Sequence, residues 1–203
     1  MRRVIAATAC LIVIGVLAGC GTDEEPGAPV TSSVTTPTPA GGVQLPAGGA
    51  PKVEFPLDTA RSEQAPCDTL SEGQLTEIFG SALTGEPRDV TGPTCSWSRN
   101  KPNPRVTVGF IKTTELGISN FYLGKDDGGF FLVMPPVVGY PAVAWGEDGE
   151  RAEGTCRVAV GVTDRQVVDI RVKQSEDKIG KKDPCDDAHG IAEMVIGNIK
   201  GAQ

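Results

Sequence analysis

Four cysteines, Cys67, Cys95, Cys156 and Cys185, constrain the fold of this chain more than any other feature. In an exported protein, an even number of cysteines predicts disulfides. A metal site is the rival interpretation, but the chain has no Cys-x-x-Cys spacing and its one histidine is His189. We therefore predict two disulfides and no metal or other cofactor.

Three pairings of the four cysteines are possible, and the sequence alone does not choose between them. We favour Cys67–Cys95 and Cys156–Cys185, because each bond closes a loop of roughly 30 residues between adjacent elements. By the chain-entropy argument, each such cross-link contributes about 3 kcal/mol to the free energy of unfolding.

The N-terminus predicts export. An apolar run of 15 residues, Val4 to Ala18, follows Arg2 and Arg3. A transmembrane helix is the alternative interpretation, but it needs about 20 apolar residues. The charged start, the short apolar run and its small-residue end are typical of a signal peptide.

The signal peptide ends in Leu17-Ala18-Gly19-Cys20, the pattern that lipoprotein signal peptidase cleaves once the cysteine thiol carries diacylglycerol. We predict a lipoprotein signal peptide over residues 1–19, loss of Cys10 with it, and lipid attachment, including palmitate, at Cys20. Each buried CH₂ contributes about 0.8 kcal/mol, so two or three acyl chains anchor a protein stably. The predicted location is the extracytoplasmic face of the cell membrane.

The charge of the chain excludes one class of partner. Its formal charge is −7, and loss of residues 1–19, with two arginines and no acidic residue, lowers it to −9. Nucleic-acid binding depends on Lys and Arg neutralising phosphates, so we expect no nucleic-acid partner. The expected partners are the membrane, through Cys20, and an unidentified ligand or protein of the cell envelope.

The composition divides the mature chain into two parts. From Gly21 to about Gly49 it consists mainly of Pro, Thr, Ser, Gly and Ala, which cannot bury enough apolar surface to fold. We therefore predict a disordered linker over residues 20–55. Residues 56–203 are long enough for one domain with its own core.

Helical signals flank a series of strand-like segments. Ser71 and Gln74 form a capping box before an apolar face that ends at Gly80. Asp183 and Pro184 are typical of the start of a C-terminal helix. Between them we predict strands over 95–99, 105–112, 130–134, 143–145, 155–163 and 166–173, a turn at 101–104 and a short helix near 115–123. This order predicts an α+β fold, an antiparallel β-sheet packed by the N- and C-terminal helices.

Six short segments occur in order along the predicted domain: Pro56-Leu57-Asp58, Ala65-Pro66-Cys67-Asp68-Thr69-Leu70, Gly92-Pro93-Thr94-Cys95-Ser96-Trp97, Gly139-Tyr140-Pro141-Ala142-Val143-Ala144, Cys156-Arg157-Val158-Ala159-Val160-Gly161-Val162 and Lys181-Lys182-Asp183-Pro184-Cys185. In this set the chain resembles the actinobacterial secreted lipoprotein family catalogued as domain of unknown function 3558. The resemblance implies location and fold. The family has no established activity and no assigned catalytic residues, so it implies no chemistry.

Signals for catalysis are weak, and we do not expect an enzyme. Ser175 and Lys178 have the Ser-x-x-Lys spacing of penicillin-interacting enzymes, but no Ser-Asp-Asn or Lys-Thr-Gly follows. His189 falls in the predicted C-terminal helix, where an exposed histidine is the ordinary case. Acidic residues cluster in two predicted loops, and solvated loop charge is the simpler interpretation than glycoside hydrolysis or Ca²⁺ binding: Asp126, Asp127, Glu147, Asp148, Glu150 and Glu153.

Aromatic residues supply the candidate binding site. Trp97 is expected to pack on a disulfide in the core. A Pro- and Gly-interrupted region holds Tyr140, Trp145, Phe130 and Phe131, which can line a pocket for a small ligand or lipid. Core packing explains the same residues equally well.

Three functions follow from these observations. The leading hypothesis is a non-enzymatic ligand-binding or sensing module, which predicts a cavity of more than a few hundred Å³ lined by Tyr140 and Trp145. The second is an accessory protein that docks on a membrane or cell-wall partner, which predicts a contiguous exposed apolar patch. An envelope hydrolase is third and requires converging groups with shifted pKa values.

Overall fold

A computed structural model describes residues 43–99 and 104–203, which belong to one structural unit, Gly41–Gln203. The signal peptide, Cys20 and most of the linker lie outside the described residues, as does most of the turn predicted at 101–104. These expectations stay predictions.

Seven strands form one antiparallel sheet in the order β1-β2-β3-β7-β6-β5-β4. The strands are β1 (Glu86–Asp89), β2 (Pro93–Ser98), β3 (Arg105–Ile111), β4 (Phe130–Val137), β5 (Tyr140–Gly146), β6 (Thr155–Gly161) and β7 (Val167–Lys173). The helices are α1 (Ala60–Gln64), α2 (Glu72–Phe79), α3 (Ser119–Leu123) and α4 (Pro184–Gly201), with a 3₁₀ turn at Pro66–Thr69. In the described part of the chain, no helix has both the length and the apolar character needed to cross a bilayer. The architecture is α+β, as predicted.

The two disulfides join helical segments to the sheet. Cys67–Cys95 links the 3₁₀ turn to β2, and Cys156–Cys185 links β6 to the first turn of α4. The Cα atoms of each pair are 5.1 Å apart, within the usual range for this bond. These are the two pairs that the loop lengths favoured, so that prediction is confirmed. Gly85 leaves room at the first bond, where the Trp97 indole nitrogen also lies.

Both predicted helices begin where their capping residues indicate. At α2, the Ser71 hydroxyl accepts a hydrogen bond from the Gln74 amide, and the Gln74 side chain accepts one from the Ser71 amide. Gly80 ends the helix in the left-handed conformation, at φ 77°. At α4, the Asp183 carboxylate accepts a hydrogen bond from the backbone N–H of Cys185.

Both helices cover the same face of the sheet. The inward stripe of α4 is buried as predicted, at Ala188, Ala192, Val195 and Ile199. The Asn198 side chain of α4 donates a hydrogen bond of 2.7 Å to Gln74 of α2, and so joins the two helices. In β3, Val106, Val108 and Phe110 turn toward this helical layer. We call this side of the sheet the covered face.

The opposite side of the sheet carries a smaller apolar cluster, and no long helix of the described residues covers it. This cluster consists of Ala50, Ile118, Val143, Ala159 and Val167. In β3 the residues that alternate with the buried ones, Thr107, Gly109 and Ile111, belong to this side. We call it the open face.

The folded region begins earlier than the sequence predicted. Ala50 and Val53, assigned to the linker, are buried. The backbone N–H of Val53 donates to Asp164 at 2.9 Å, and that of Ala47 donates to the Ser119 hydroxyl at 2.9 Å. Composition missed this segment because side chains from distant parts of the chain hold its backbone, and its buried apolar residues are only Ala50 and Val53.

Strand β4 also differs from its prediction. It was expected to end at Met134, but it continues through Pro135 and Pro136 to Val137, with an irregular register after Met134. It lies at the edge of the sheet, and the irregular register leaves Pro135 and Pro136 without partners in β5, which are the positions in a sheet where proline is tolerated. The edge strand β1, all of whose residues are exposed, and the short α1 were not predicted.

Candidate ligand-binding site

A cavity of about 960 Å³ lies on the open face. Strands β2, β3, β5, β6 and β7 contribute to its base, and the chain around α3 and the loops at 124–129 and 146–148 form its walls. This volume is at the upper end of the range that small-molecule sites occupy.

Asp169 of β7 lies at the base of the cavity. The strand register places Gly109 of β3 on one side of Asp169 and Ala159 of β6 on the other. Two residues with little or no side chain therefore flank the carboxylate and leave a depression. A Cβ atom at Gly109 would lie 3.1 Å from the Thr94 hydroxyl oxygen, so even alanine would crowd the base of the cavity.

A second set of residues paired across the strands carries positive charge. Thr107 of β3 pairs with Arg171 of β7, Arg171 pairs with Arg157 of β6, and Arg157 pairs with Trp145 of β5. Arg157 lies over the Trp145 indole, 4.7 Å from the ring centroid. Glu150 accepts from both arginines, at 3.2 Å from Arg157 and 3.1 Å from Arg171. One carboxylate thus holds both guanidinium groups beside the cavity.

The Asp169 carboxylate is half-buried and opens into this cavity. Surrounding protein displaces water around it, and this burial raises the pKa of Asp169 to about 6. A hydrogen bond of 3.1 Å from the Trp145 indole N–H to Oδ1 and the charges of Arg157 and Arg171 act in the opposite direction. Within the described residues, Oδ2 receives no hydrogen bond. It is a free acceptor at the base of the cavity.

Aromatic side chains line one wall. Phe121 of α3 packs against Trp145 with ring centroids 5.1 Å apart. Tyr122 packs edge-on against Phe131, also at 5.1 Å, and burial raises the pKa of its phenol. Helix α3 is therefore held over the open face by ring contacts.

The structure brings together three of the four residues predicted to line a pocket. Trp145, Phe130 and Phe131 all border the cavity. Tyr140 instead lies in the core of the covered face, 6% exposed, with the Lys200 ammonium 6.0 Å from its ring. Tyr140 starts β5 and its side chain belongs to the opposite side of the sheet from Trp145.

The charged residues of the cavity base were missed by sequence reasoning. The signal was present in β7, where Asp169 and Arg171 alternate with buried Val168, Ile170 and Val172. The same alternation is also typical of a strand whose second face is solvated, so by itself it does not indicate a site. The hairpin partner, β6, repeats the pattern with Arg157.

The acidic residues separate into different environments. Asp127, Glu147 and Asp148 line the cavity, and Glu150 is held by the two arginines. Asp126 is exposed and is not among the lining residues.

Neither of the other catalytic candidates belongs to this cavity. Ser175 and Lys178 lie in the loop after β7. His189 is on α4, where its ring nitrogen is 3.0 Å from the Pro135 carbonyl oxygen. Over residues 43–99 and 104–203, no three His, Cys, Asp or Glu side chains are grouped to hold a metal ion.

The fold and the site define an α+β protein with a charged cavity on the open face of an antiparallel sheet. A family model described as "Protein of unknown function (DUF3558)" matches residues 15–198, and the chain belongs to this family. The comparison with curated proteins and the comparison with solved structures gave no match.

Proposed function

We propose that this protein is a non-enzymatic ligand-binding or sensing module. The observation that carries the proposal is the half-buried Asp169 carboxylate, which opens into a cavity of about 960 Å³ with one oxygen free to accept a hydrogen bond. An ionised carboxylate that has lost part of its hydration is unfavourable for stability, and a bound ligand that donates to it restores the missing interaction. Shifted carboxyl groups in clefts are frequent at functional sites.

We further propose that the module is anchored by lipid at Cys20 on the extracytoplasmic face of an actinobacterial cell membrane. The signal-like N-terminus and the resemblance to secreted lipoproteins support this location. The two disulfides favour an oxidising compartment. The segment between Cys20 and residue 43 would then serve as the spacer.

Binding is tested by incubating the oxidised full-length protein with a cell-envelope extract, followed by native mass spectrometry. We expect a discrete added mass. Trp145→Phe, which removes the hydrogen bond to Asp169 but keeps an aromatic ring, should reduce its occupancy. Phe55→Ala is the matched control, because Phe55 is 82% exposed and lies outside the cavity. Recovery of only the unliganded mass would contradict the proposal.

The anchor is tested separately with Cys20→Ala. The precursor should remain unlipidated and uncleaved, as seen by mass spectrometry of the membrane fraction. A normally processed, membrane-held variant would refute lipid attachment at this residue.

A second candidate function is docking on a protein partner through the edge strand β4. Val133 of this strand is 66% exposed and Leu123 of nearby α3 is 50% exposed. The other edge, β1, carries charged residues that discourage strand pairing. If β4 is a docking edge, Val133→Lys should abolish crosslinking to a partner in intact cells and leave ligand retention unchanged.

An envelope hydrolase is less well supported. Glycoside hydrolysis requires two carboxyl groups with separate roles, and Glu150 is already engaged by two arginines. Asp127, Glu147 and Asp148 face the same cavity and are the remaining partners for Asp169. Turnover of envelope glycans that is abolished by Asp169→Asn would establish this function instead.

A further inference from the structure

We infer that the cavity on the open face binds an uncharged, hydroxyl-rich ligand of the neutral-glycan class. This inference rests on the proposed binding function. It follows from the balance of charge at the base of the cavity and from the hydrogen-bonding groups left free there.

The base of the cavity carries no net charge when its groups are ionised. Asp169 and Glu150 supply two negative charges, and Arg157 and Arg171 supply two positive ones. Both arginines are already paired with Glu150, and both also face Asp169. A charged group of a ligand would lose its hydration on entering the cavity. Because each charge at the base is already balanced by an opposite charge, no group there would compensate for that loss.

The rim of the cavity has a net negative charge, which disfavours an anionic ligand. It carries Asp127, Glu147 and Asp148 against a single cation, Lys125. The whole chain is also acidic, with a formal charge of −7. An anionic ligand is repelled on approach and a cationic one meets two guanidinium groups at the base.

The free hydrogen-bonding groups are mixed. Asp169 offers an acceptor. Arg171, whose side chain is 46% exposed, donates to Glu150 through Nη2 at 3.1 Å and has further N–H groups to donate. The amide of Asn120 at the rim forms no side-chain hydrogen bond within the described residues and offers one group of each kind. A hydroxyl group both donates and accepts, so neighbouring hydroxyls on one ligand satisfy such a set.

The aromatic wall completes the match. Phe121 and Phe131 present apolar surface beside the polar base. A sugar ring has hydroxyls at its edge and C–H groups on its faces, so it can pack against such a wall while its hydroxyls reach the base. Ligand sites of this kind combine apolar lining with a few fixed polar groups.

The experiment titrates the oxidised full-length protein at pH 7.5 with three trisaccharides of equal length and different charge: neutral chitotriose, its cationic de-acetylated form and anionic trigalacturonate. The readout is the NMR signal of the Trp145 indole N–H, assigned with Trp145→Phe. The indole of Trp97, 1% exposed in the covered face, is the internal reference. We expect a saturable shift of the Trp145 signal with chitotriose, and affinities at least tenfold weaker for the two charged trimers.

Variants locate the binding. Arg171→Ala and Asn120→Ala should each weaken chitotriose binding at least fivefold. Arg165→Ala, which removes the same charge as Arg171→Ala, and Asp126→Ala, both at exposed residues that do not line the cavity, should leave it unchanged. Tighter binding of either charged trimer, or no response to any of the three, would overturn the inference. In either case, an envelope ligand retained in native mass spectrometry would leave the binding function standing, and an unliganded protein there would remove both.

Discussion

The two faces of the β-sheet differ in what they contribute, and β7 shows the contrast at adjacent positions. Ile170 is fully buried under the helices of the covered face. Its neighbour Asp169 lies in the cavity of the open face, where burial raises its pKa to about 6. The covered face therefore stabilises the fold through apolar burial and disulfides. The open face carries a partly buried carboxylate that lowers stability and is suited to binding.

The largest difference between the faces is expected in how much a truncated side chain lowers the free energy of unfolding. Ile170→Ala should lower the free energy of unfolding by about 4 kcal/mol, because it leaves a cavity among packed side chains. Val133→Ala, at an exposed position of β4, is the control and should change it by less than about 0.5 kcal/mol. Denaturant titration measures both. Equal effects would mean that the covered face is not the stabilising one.

The next effect concerns the cross-links. Replacing Cys156 and Cys185 together by alanine should lower the free energy of unfolding by about 3 kcal/mol, since the cut bond ties β6 to α4. A reducing agent should lower the melting temperature of the native protein in the same sense. An unchanged melt after reduction would argue that neither disulfide supports the fold.

On the open face, the ionised Asp169 carboxylate is expected to lower the free energy of unfolding, whereas the core and the disulfides of the covered face raise it. The folded-state pKa of Asp169 lies above its ordinary value of 3.8, so the folded state holds this proton more tightly than the unfolded state does. Stability from this group is therefore lost as pH rises from about 4 to about 6 and stays low above that. Two pKa units correspond to about 3 kcal/mol, which is an upper limit for a carboxylate that keeps some contact with water.

Asp169→Asn removes this titration while keeping an acceptor for the Trp145 N–H. The variant should be more stable than the native protein by about 2 kcal/mol at pH 7.5, and this advantage should disappear near pH 4. Melting curves across pH 4–8 provide the test. A destabilised variant at pH 7.5 would show that the ionised carboxylate supports the fold.

The smallest effect on stability is expected at Arg171. Its side chain is 46% exposed and its ion pair with Glu150 is shared with Arg157, so Arg171→Ala should change the free energy of unfolding by less than about 1 kcal/mol. Denaturant titration beside Arg165→Ala, another exposed arginine, measures it. A loss of several kcal/mol would make this residue part of the framework and weaken its role in binding.

Elements with local signals were predictable from the sequence. The capping box of Ser71 and Gln74 and the Asp183-Pro184 start satisfy backbone groups within one turn of helix, so neighbouring residues suffice to locate them. The hairpin of β6 and β7 follows from two alternating segments separated by a short turn. The disulfide pairing was correctly favoured from the two loop lengths, since the bonded cysteines are 28 and 29 residues apart. The bonded elements are nevertheless not consecutive, because α2 and β1 lie inside the first loop and β7 lies inside the second.

Elements held by distant partners were not predictable in this way. The segment around Val53 was assigned to the linker because its anchor, Asp164, lies 111 residues away in the chain. Strand β1 carries no apolar pattern and exists through its pairing with β2. The side of the sheet to which Tyr140 belongs depends on the register of β5.

The sequence by itself determined the α+β class, the presence of two disulfides and the two capped helices, because their signals lie within single segments or in the number of cysteines. It favoured the observed pairing of those cysteines without excluding the other two. Only the tertiary structure decided where the site is. Gly109, Trp145, Arg157 and Asp169 come from four strands, and the register of the sheet brings them together. The raised pKa of Asp169 likewise arises from the protein packed around it, which no local pattern of residues specifies.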